Sequence, residues 1–363
     1  MKILFAVNSI GLGHATRCYP LIKETINKGH EVFILSNYRA LDFLKNEFKE
    51  KAVYFKLPDY SFQRKIFTEK KVSMAKFAMF LPLYIKEFTE EHNNFLKIHR
   101  EYKFDKIISD SRFGIYCEKP SYLISHHIKI SLNGFLKATD KITEFVFYAL
   151  KNKFKKILIP DFENNSLAGD YTHDFNYLKK KDYSYIGILS MLKKENIKRD
   201  IDYFFSISGP EPQRTVFEKF ILKNIKKIKN KKIIITLGKT ESNIYKKISN
   251  NESEIEIFGF LDREKQEKIM NRARLIITRS GYTTIMDLAE LEKKALLIPT
   301  KGQPEQEYLA KYHLKEGNFY YKDLENLNLE KDLDIAEKFS GFIAKKKTED
   351  SVKKFFEEIK LFK

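Results

Sequence analysis

Two α/β units in tandem, each a parallel sheet covered by helices, are the architecture this sequence predicts, and three observations carry it. Strand-like apolar runs alternate with helical patterns along the whole chain, and such alternation favours parallel sheets with helices on both faces. Glycine-bearing turns that lead from a strand into a helix occur early, at Gly11 and Gly13, and late, at Ser280 and Gly281. At 363 residues the chain is too long for one ordinary core and comfortable for two.

Taken in order, residues 2–7 read as a buried parallel strand, and residues 8–17 as a glycine turn entering a helix that Gly29 ends. Residues 31–36 form the next strand. Further strands are expected at 52–56, 104–109, 122–125 and 156–159, then at 204–208, 232–237, 254–258, 275–278 and 295–298. The charged stretch 193–200 lacks strand character and separates the two series, so the first domain is expected over 1–194 and the second over 195–345. From residue 348 onward, charges alternate with Val352, Phe355, Phe356, Ile359 and Phe362 at helical spacing, which predicts a separate terminal helix within 346–363.

The late turn carries the sharper chemical signal. A helix opening at Ser280-Gly281 directly after a buried strand presents free N–H groups and the positive end of its dipole, which is an anion site. Further along, Asp287 is acidic on an otherwise apolar helix, where a carboxylate can take the hydroxyl pair of a ribose. That combination suits a nucleoside diphosphate. At the early turn, Gly11 and Gly13 let a ligand approach the backbone, and His14 sits in the first helical turn facing the crevice at the strand ends. The full dinucleotide fingerprint is missing, because Thr16 is not glycine and no acidic residue ends the strand at 31–36.

In this order the two turns resemble the GT-B glycosyltransferases. The branch most similar is the family 28-like one, which contains the lipid-linked N-acetylglucosaminyltransferase of peptidoglycan synthesis and archaeal-type relatives, and the resemblance runs over nearly the whole chain. It implies an α/β fold of two Rossmann-like domains with parallel sheets facing across a cleft, the first for the acceptor and the second for the donor, with the last helix crossing back onto the first. It also implies that Ser280 and Gly281, with Thr283 in the same turn, meet the diphosphate, and that Asp287 holds the ribose. By the same resemblance Glu305 and Gln306 reach the sugar hydroxyls, and the backbone around Phe260 reads the nucleobase edge. Two departures stand out. The family's usual Glu is here the shorter Asp287, and its glycine-serine loop is replaced by residues 206–214. There Ser208, Gly209 and Arg214 are expected to serve a phosphate, although Pro210 and Pro212 remove N–H donors.

Sugar transfer requires that the leaving diphosphate be stabilised, the acceptor hydroxyl deprotonated and water excluded. The helix dipole behind Ser280 and Gly281, with Arg279 or Arg214 nearby, answers the first need. His14 is the leading base, because neutral imidazole accepts a proton near working pH; a cap or a phosphate ligand is its plain alternative. Asp110 falls where related transferases place the acid that orients such a histidine, and an ordinary turn residue is the competing account. His126 and His127 are rival bases or acceptor-side residues, together with Gly11, Gly13 and Arg17. The expectation is an inverting, metal-independent transferase using a nucleotide sugar, a UDP-sugar first, on an unidentified acceptor that is lipid-linked in several relatives. An epimerase or hydrolase on the same fold, and a catalytically silent nucleotide-sugar binder, are the alternatives. The two Asp-x-Asp matches, at 200–202 and 332–334, sit at a linker and a helix start and look incidental.

The net charge of +18 calls for a partner or a compositional bias, because lysines are spread over the whole chain. No recognition signature accompanies them, so nucleic acid ranks low. An anionic membrane surface ranks higher. Residues 70–88 read as a helix with Met74, Ala78, Leu81, Ile85 and Phe88 along one stripe, Phe77, Phe80 and Tyr84 beside it and Lys70, Lys71, Lys76 and Lys86 around it, for which packing within the acceptor domain is the first account and membrane contact the second. Pro82 is expected to kink or split that helix. No run is long enough for a signal peptide or a span, and Cys18 and Cys117 lack metal-ligand spacing, so a cytoplasmic protein, at most peripheral to the membrane's inner face, is expected.

Overall fold

Runs of Ile, Leu, Val and Phe with no polar alternation can lie only where both faces of a sheet are covered, and they make the central strands here. The computed structural model describes residues 1–61, 74–129, 137–239, 243–250 and 253–361. It divides into unit 1, Met1–Met191 with Lys346–Lys363, and unit 2, Leu192–Lys345.

Unit 1 holds β1 (Lys2–Val7), β2 (Glu31–Ser36), β3 (Val53–Lys56), β4 (Lys106–Asp110), β5 (Ser121–Ile124), β6 (Lys156–Ile159) and β7 (Tyr183–Tyr185). Their order across the sheet is β3-β2-β1-β4-β5-β6-β7, with every neighbouring pair parallel. The order reverses between β1 and β4, where Val7 stands beside Asp110. Ligands of open α/β sheets bind outside the carboxyl ends of the strands at such a switch point. The core below it gathers Leu4, Ala6, Phe33, Leu35, Phe95 and Phe104.

Unit 2 holds β8 (Ile201–Ser206), β9 (Lys231–Thr236), β10 (Tyr245–Asn250), β11 (Ser253–Phe258), β12 (Ala273–Thr278), β13 (Lys294–Leu297) and β14 (Tyr320–Tyr321), in the order β10-β11-β9-β8-β12-β13-β14. All pairs are parallel except β10 with β11. Its switch point lies between β8 and β12, so the turns following Ser206 and Thr278 share one end of the sheet. Both α/β units and their parallel sheets agree with the class read from the sequence.

The differences have physical reasons. β8 covers 201–206 rather than the expected 204–208. Asp202 marks the stretch as linker when read alone, but its carboxylate accepts from the Lys232 amide at 2.8 Å and so fits within a strand. The strands β7, β10 and β14 escape the sequence reading because they lie at sheet edges and lack an apolar run, with half-exposed Tyr and Ser in β7 and β14 and exposed Tyr245, Lys246 and Lys247 in β10. The helix Met74–Tyr102 runs through Pro82 without splitting. One missing N–H removes a single hydrogen bond, and the turns on either side carry the helix across. Residues 70 and 71 of the lysine-flanked stripe, and the side chains of its positions 74–81, lie outside the described residues. Among the described residues no helix is long and apolar enough to cross a membrane.

The terminal helix Thr348–Glu358 belongs to unit 1. Phe355 stacks on Phe5 at 6.4 Å between centroids, and Phe355, Phe356, Ile359 and Leu361 are buried. Lys106 donates to the Ile359 carbonyl at 2.8 Å, Lys156 pairs with Glu358 at 2.8 Å and the Ser190 amide donates to Thr348 Oγ1 at 3.0 Å. Phe362 of the expected stripe lies outside the described residues.

Candidate functional site

In unit 1 the chain leaves β1, turns at Gly11 and enters the helix Gly13–Asn27. Gly11 has φ +74°, a conformation that favours glycine, and open space where a side chain would stand. His14 and Arg17 are one helical turn apart, so both face the end of β4. There the fully buried Asp110 gathers donors. Arg17 Nε donates to Oδ2 at 2.8 Å, Arg17 Nη2 donates to Oδ1, His14 Nδ1 lies 3.2 Å from Oδ1 and the Cys18 thiol donates to Oδ2 at 3.1 Å. Arg17 also reaches two imidazoles, with Nη1 at 2.6 Å from His126 Nδ1 and Nη2 at 2.9 Å from His14 Nδ1. His126 stacks on His127 at 4.3 Å, and His127 meets the edge of Tyr171.

Burial alone would raise the Asp110 carboxyl, but Arg17 and then His14 outweigh it and hold the carboxyl well below the usual carboxylate range. A depressed carboxylate contributes stability that is present above its unfolded pKa of about 4 and lost only as pH falls through the lower folded value. Asp110 is therefore ionised throughout pH 5 to 8, and any pH dependence of turnover in that window belongs to another group. Burial, with Asp110 next to it, pushes the Cys18 thiol well up, so Cys18 is a packed thiol rather than a nucleophile.

In unit 2 the helix Tyr282–Leu291 starts from Gly281 with no side-chain cap and no acidic residue in its first turn. Its opening amides thus lack the Ser, Thr or Asp oxygen that commonly serves a helix start. Thr283 and Asp287 are half-buried on this helix. Ser280 is fully buried, and its hydroxyl donates to the Gln306 carbonyl at 2.7 Å. It ties the turn to the helix Pro304–Lys315 rather than pointing outward. On the β8 side Gly209 has φ +120°, which again requires glycine.

The two arginines expected beside the diphosphate are engaged elsewhere. Arg279, 4 % exposed, donates to the carbonyls of Ser208, Gln213, Ile298 and Pro299 at 3.0 to 3.3 Å and lies 4.5 Å over the Phe217 ring. Burial lowers it to about 10, so it remains charged at neutral pH. Arg214 pairs with Glu211 and Glu218 and donates to the Leu237 carbonyl at 2.9 Å. Both guanidiniums brace the loops at the ends of β8, β9 and β13, so several of their donors are already taken within the protein.

Gln306 is likewise occupied by its own unit. Its Oε1 accepts from the Thr300 amide at 2.9 Å and its Nε2 donates to Gln303 at 2.6 Å. Glu305, in the same turn, is half-buried. Beyond β11, Leu237 and Lys239 donate from their amides to the carbonyls of Phe258 and Gly259, while Phe260 is 46 % exposed. Sequence reasoning missed Thr300, Gln303 and Glu307, which knit the 300–307 turn together; Glu307 accepts from the Gly302 amide at 2.7 Å. A carboxylate in the first helical turn after Pro304 was the available signal. In unit 1, Cys117 comes near His99 and Glu118 despite its spacing, but His99 Nε2 is already paired with Glu118 at 3.2 Å.

Residues 213–360 match the glycosyltransferase family 28 C-terminal domain, and residues 1–133 match glycosyl transferase family 1. Both matched segments are glycosyltransferase domains, the second of the family 28 type, and the fold is GT-B. The chain is 25 % identical over 337 residues to an uncharacterized glycosyltransferase of Methanosarcina acetivorans, covering 87 % of this chain and 84 % of that one. Two solved structures share its fold. MurG of Acinetobacter baumannii has a TM-score of 0.55 at 12 % identity, covering 92 % of this chain and 89 % of that one. The spinosyn rhamnosyltransferase SpnG, complexed with thymidine diphosphate, has a TM-score of 0.58 at 12 % identity, covering 98 % and 95 %.

Proposed function

We propose that this glycosyltransferase moves a sugar from a nucleoside-diphosphate donor to an acceptor hydroxyl with inversion, His14 acting as the base. The observation that carries this reading is His14 Nδ1 at 3.2 Å from the buried, ionised Asp110 at the switch point of unit 1. A carboxylate there orients the ring and stabilises the imidazolium that forms as the acceptor proton leaves. Inversion follows from a single displacement with one base.

In unit 2 the start of the helix Tyr282–Leu291, where Gly281 gives no side-chain cap, supports a diphosphate site, because helix-start amides and the helix dipole stabilise the leaving anion and can do so without a metal. Asp287 is the proposed ribose contact and Glu305 the proposed contact to the sugar hydroxyls. Ser280 and Gln306 act in this reading by holding the turn. UDP remains the first choice of nucleotide, and the thymidine diphosphate bound to SpnG makes that nucleotide the second.

A panel of UDP- and thymidine-diphosphate sugars in a thermal-shift assay tests the donor. At a hundred times its dissociation constant a true donor adds about 2.7 kcal/mol of stability. Folded protein with no shift from any member of the panel overturns the reading.

For the acceptor we propose a lipid-linked molecule reached at an anionic membrane surface. The helix Lys137–Leu150 exposes Ile142, Phe145 and Val146, Tyr148 and Tyr177 extend the apolar face, and Lys151 lies 4.2 Å over the Tyr148 ring. Exposed aromatic rings with a lysine beside them suit an interface with anionic headgroups, where a lysine adds about 1 kcal/mol. Co-sedimentation with phosphatidylglycerol vesicles is expected, weakened by Phe145→Asp and absent with phosphatidylcholine alone. No pelleting with either vesicle refutes the membrane surface while leaving the donor reading in place.

A further inference from the structure

Three chemically different ligand atoms meet at a place in unit 1 that sugar transfer does not use. His99 comes from the last turn of the helix Met74–Tyr102, and Cys117 and Glu118 come from the connection between β4 and β5. One imidazole nitrogen, the Cys117 Sγ and one Glu118 oxygen all lie within 4.8 Å of one another. His99 Nε2 stands 3.2 Å from Glu118 Oε1, and the Cys117 thiol faces the same carboxylate. Two of the three positions are held by packing. His99 is 8 % exposed, with its ring beside Phe95 at 5.9 Å and Phe104 at 5.7 Å, and Cys117 is half-buried against the core of the same unit. Glu118 is 70 % exposed, so its carboxylate is the ligand that moves. An ionised carboxylate only accepts, so the proton between Nε2 and Oε1 belongs to the ring. Nδ1 has no hydrogen-bond partner among the described residues, which leaves Glu118 alone to fix that proton on Nε2.

We propose that His99, Cys117 and Glu118 form a zinc(II) site in which the metal takes the place of the proton between Nε2 and Oε1. Imidazole, thiolate and carboxylate are the ligand types of tetrahedral zinc, whose bond lengths put the donor atoms about 3.4 to 3.6 Å apart. The edge from Nε2 to Oε1 is already close to that, and the two edges to sulfur have to close by at most about 1.2 Å. On binding, the ring proton moves to Nδ1, the thiol releases its proton to solvent and water completes the fourth position beside the exposed Glu118. Sulfur and imidazole select against magnesium and calcium, which take oxygen ligands. Affinity falls below that of a closed four-ligand site, since a ligand histidine without a partner on its second nitrogen binds about 10- to 100-fold more weakly. The site lies away from His14. The Pro120 carbonyl accepts from the Ile107 amide at 3.1 Å near the amino end of β4, whereas Asp110 closes the opposite end of that strand. A metal there ties the end of a long helix to the connection between β4 and β5, and the site stands whether or not the chain transfers a sugar.

Cobalt(II) titration of reduced, ligand-free protein tests the site without any substrate. A thiolate-to-cobalt charge-transfer band and the strong visible bands of tetrahedral cobalt are expected, and zinc should remove both. The chain has only two cysteines, so the band is expected to persist in Cys18→Ser and to vanish in Cys117→Ser. Glu118→Gln alters an exposed side chain and should leave the fold intact while weakening cobalt binding by about tenfold or more. Zinc is also expected to raise the melting temperature of the wild type and not that of Cys117→Ser. Absence of a thiolate band in the wild type overturns the proposal, as does a band that survives Cys117→Ser. Undiminished cobalt affinity in Glu118→Gln overturns the ligand set.

Discussion

Turnover of the His14→Ala variant is expected to fall by a factor of about 10² to 10⁴, the range for losing a positioned general base, with donor binding retained. The side chain is 18 % exposed, and its partners Asp110 and Arg17 remain bonded to each other after the change. The fold should therefore survive, and the kinetic loss can be read as chemistry. Asp110 is a poorer probe. Removing its charge strands the buried Arg17, and breaking a buried pair costs about 3–5 kcal/mol on its own. Initial rates with the donor found by thermal shift, alongside donor titrations, give the comparison. Turnover of His14→Ala within a few-fold of wild type would mean that another group accepts the proton; loss of donor affinity instead would mean that unit 1 has been given the wrong role.

Arg279→Met is expected to lower the stability of unit 2 by about 3–5 kcal/mol, the scale on which a buried charged group with several hydrogen bonds acts. Four carbonyls from two loops lose their donor at once, and the Phe217 ring loses its stacked partner. Each kcal/mol shifts the melting temperature of a unit of this size by about 2–4 °C. Calorimetry should therefore show a drop of roughly 10 °C, and donor affinity should fall with it because the loops after β8 and β13 lose their common brace. The opposite result is equally informative. If the melting temperature holds and donor affinity alone collapses, the guanidinium leaves its carbonyls to meet the diphosphate, and the role first read from the sequence is the correct one.

Much of the frame was legible beforehand because its signals are local. An uninterrupted run such as 3–7 has to be buried on both sides wherever it goes, and a glycine turn before a helix exposes amides whatever surrounds it. The strands that escaped notice, β7, β10 and β14, are edge strands that are half-exposed or exposed, and they depend on a neighbour rather than on their own composition. At the candidate sites the positions of His14, Asp110, Gly281 and Asp287 could be read from order along the chain. The state of their neighbours could not. Arg214, Arg279 and Gln306 looked like ligand contacts because a polar side chain near an anion site has that use by default, and the sequence does not record which carbonyls and carboxylates lie within reach.

By itself, then, the amino-acid order determined two mainly parallel α/β sheets, the two glycine turns proposed to carry the chemistry and the residue types at their mouths, since strand burial, helix capping and glycine conformation depend on neighbours a few positions away. Only the tertiary structure decided where each buried donor is directed. Arg17 meets Asp110 and His126 across 93 and 109 residues, and Arg279 reaches Ser208 across 71. Partners that far apart are chosen by how the sheet stacks its strand ends, and a guanidinium with five donors in low dielectric takes whichever acceptors that stacking brings to it.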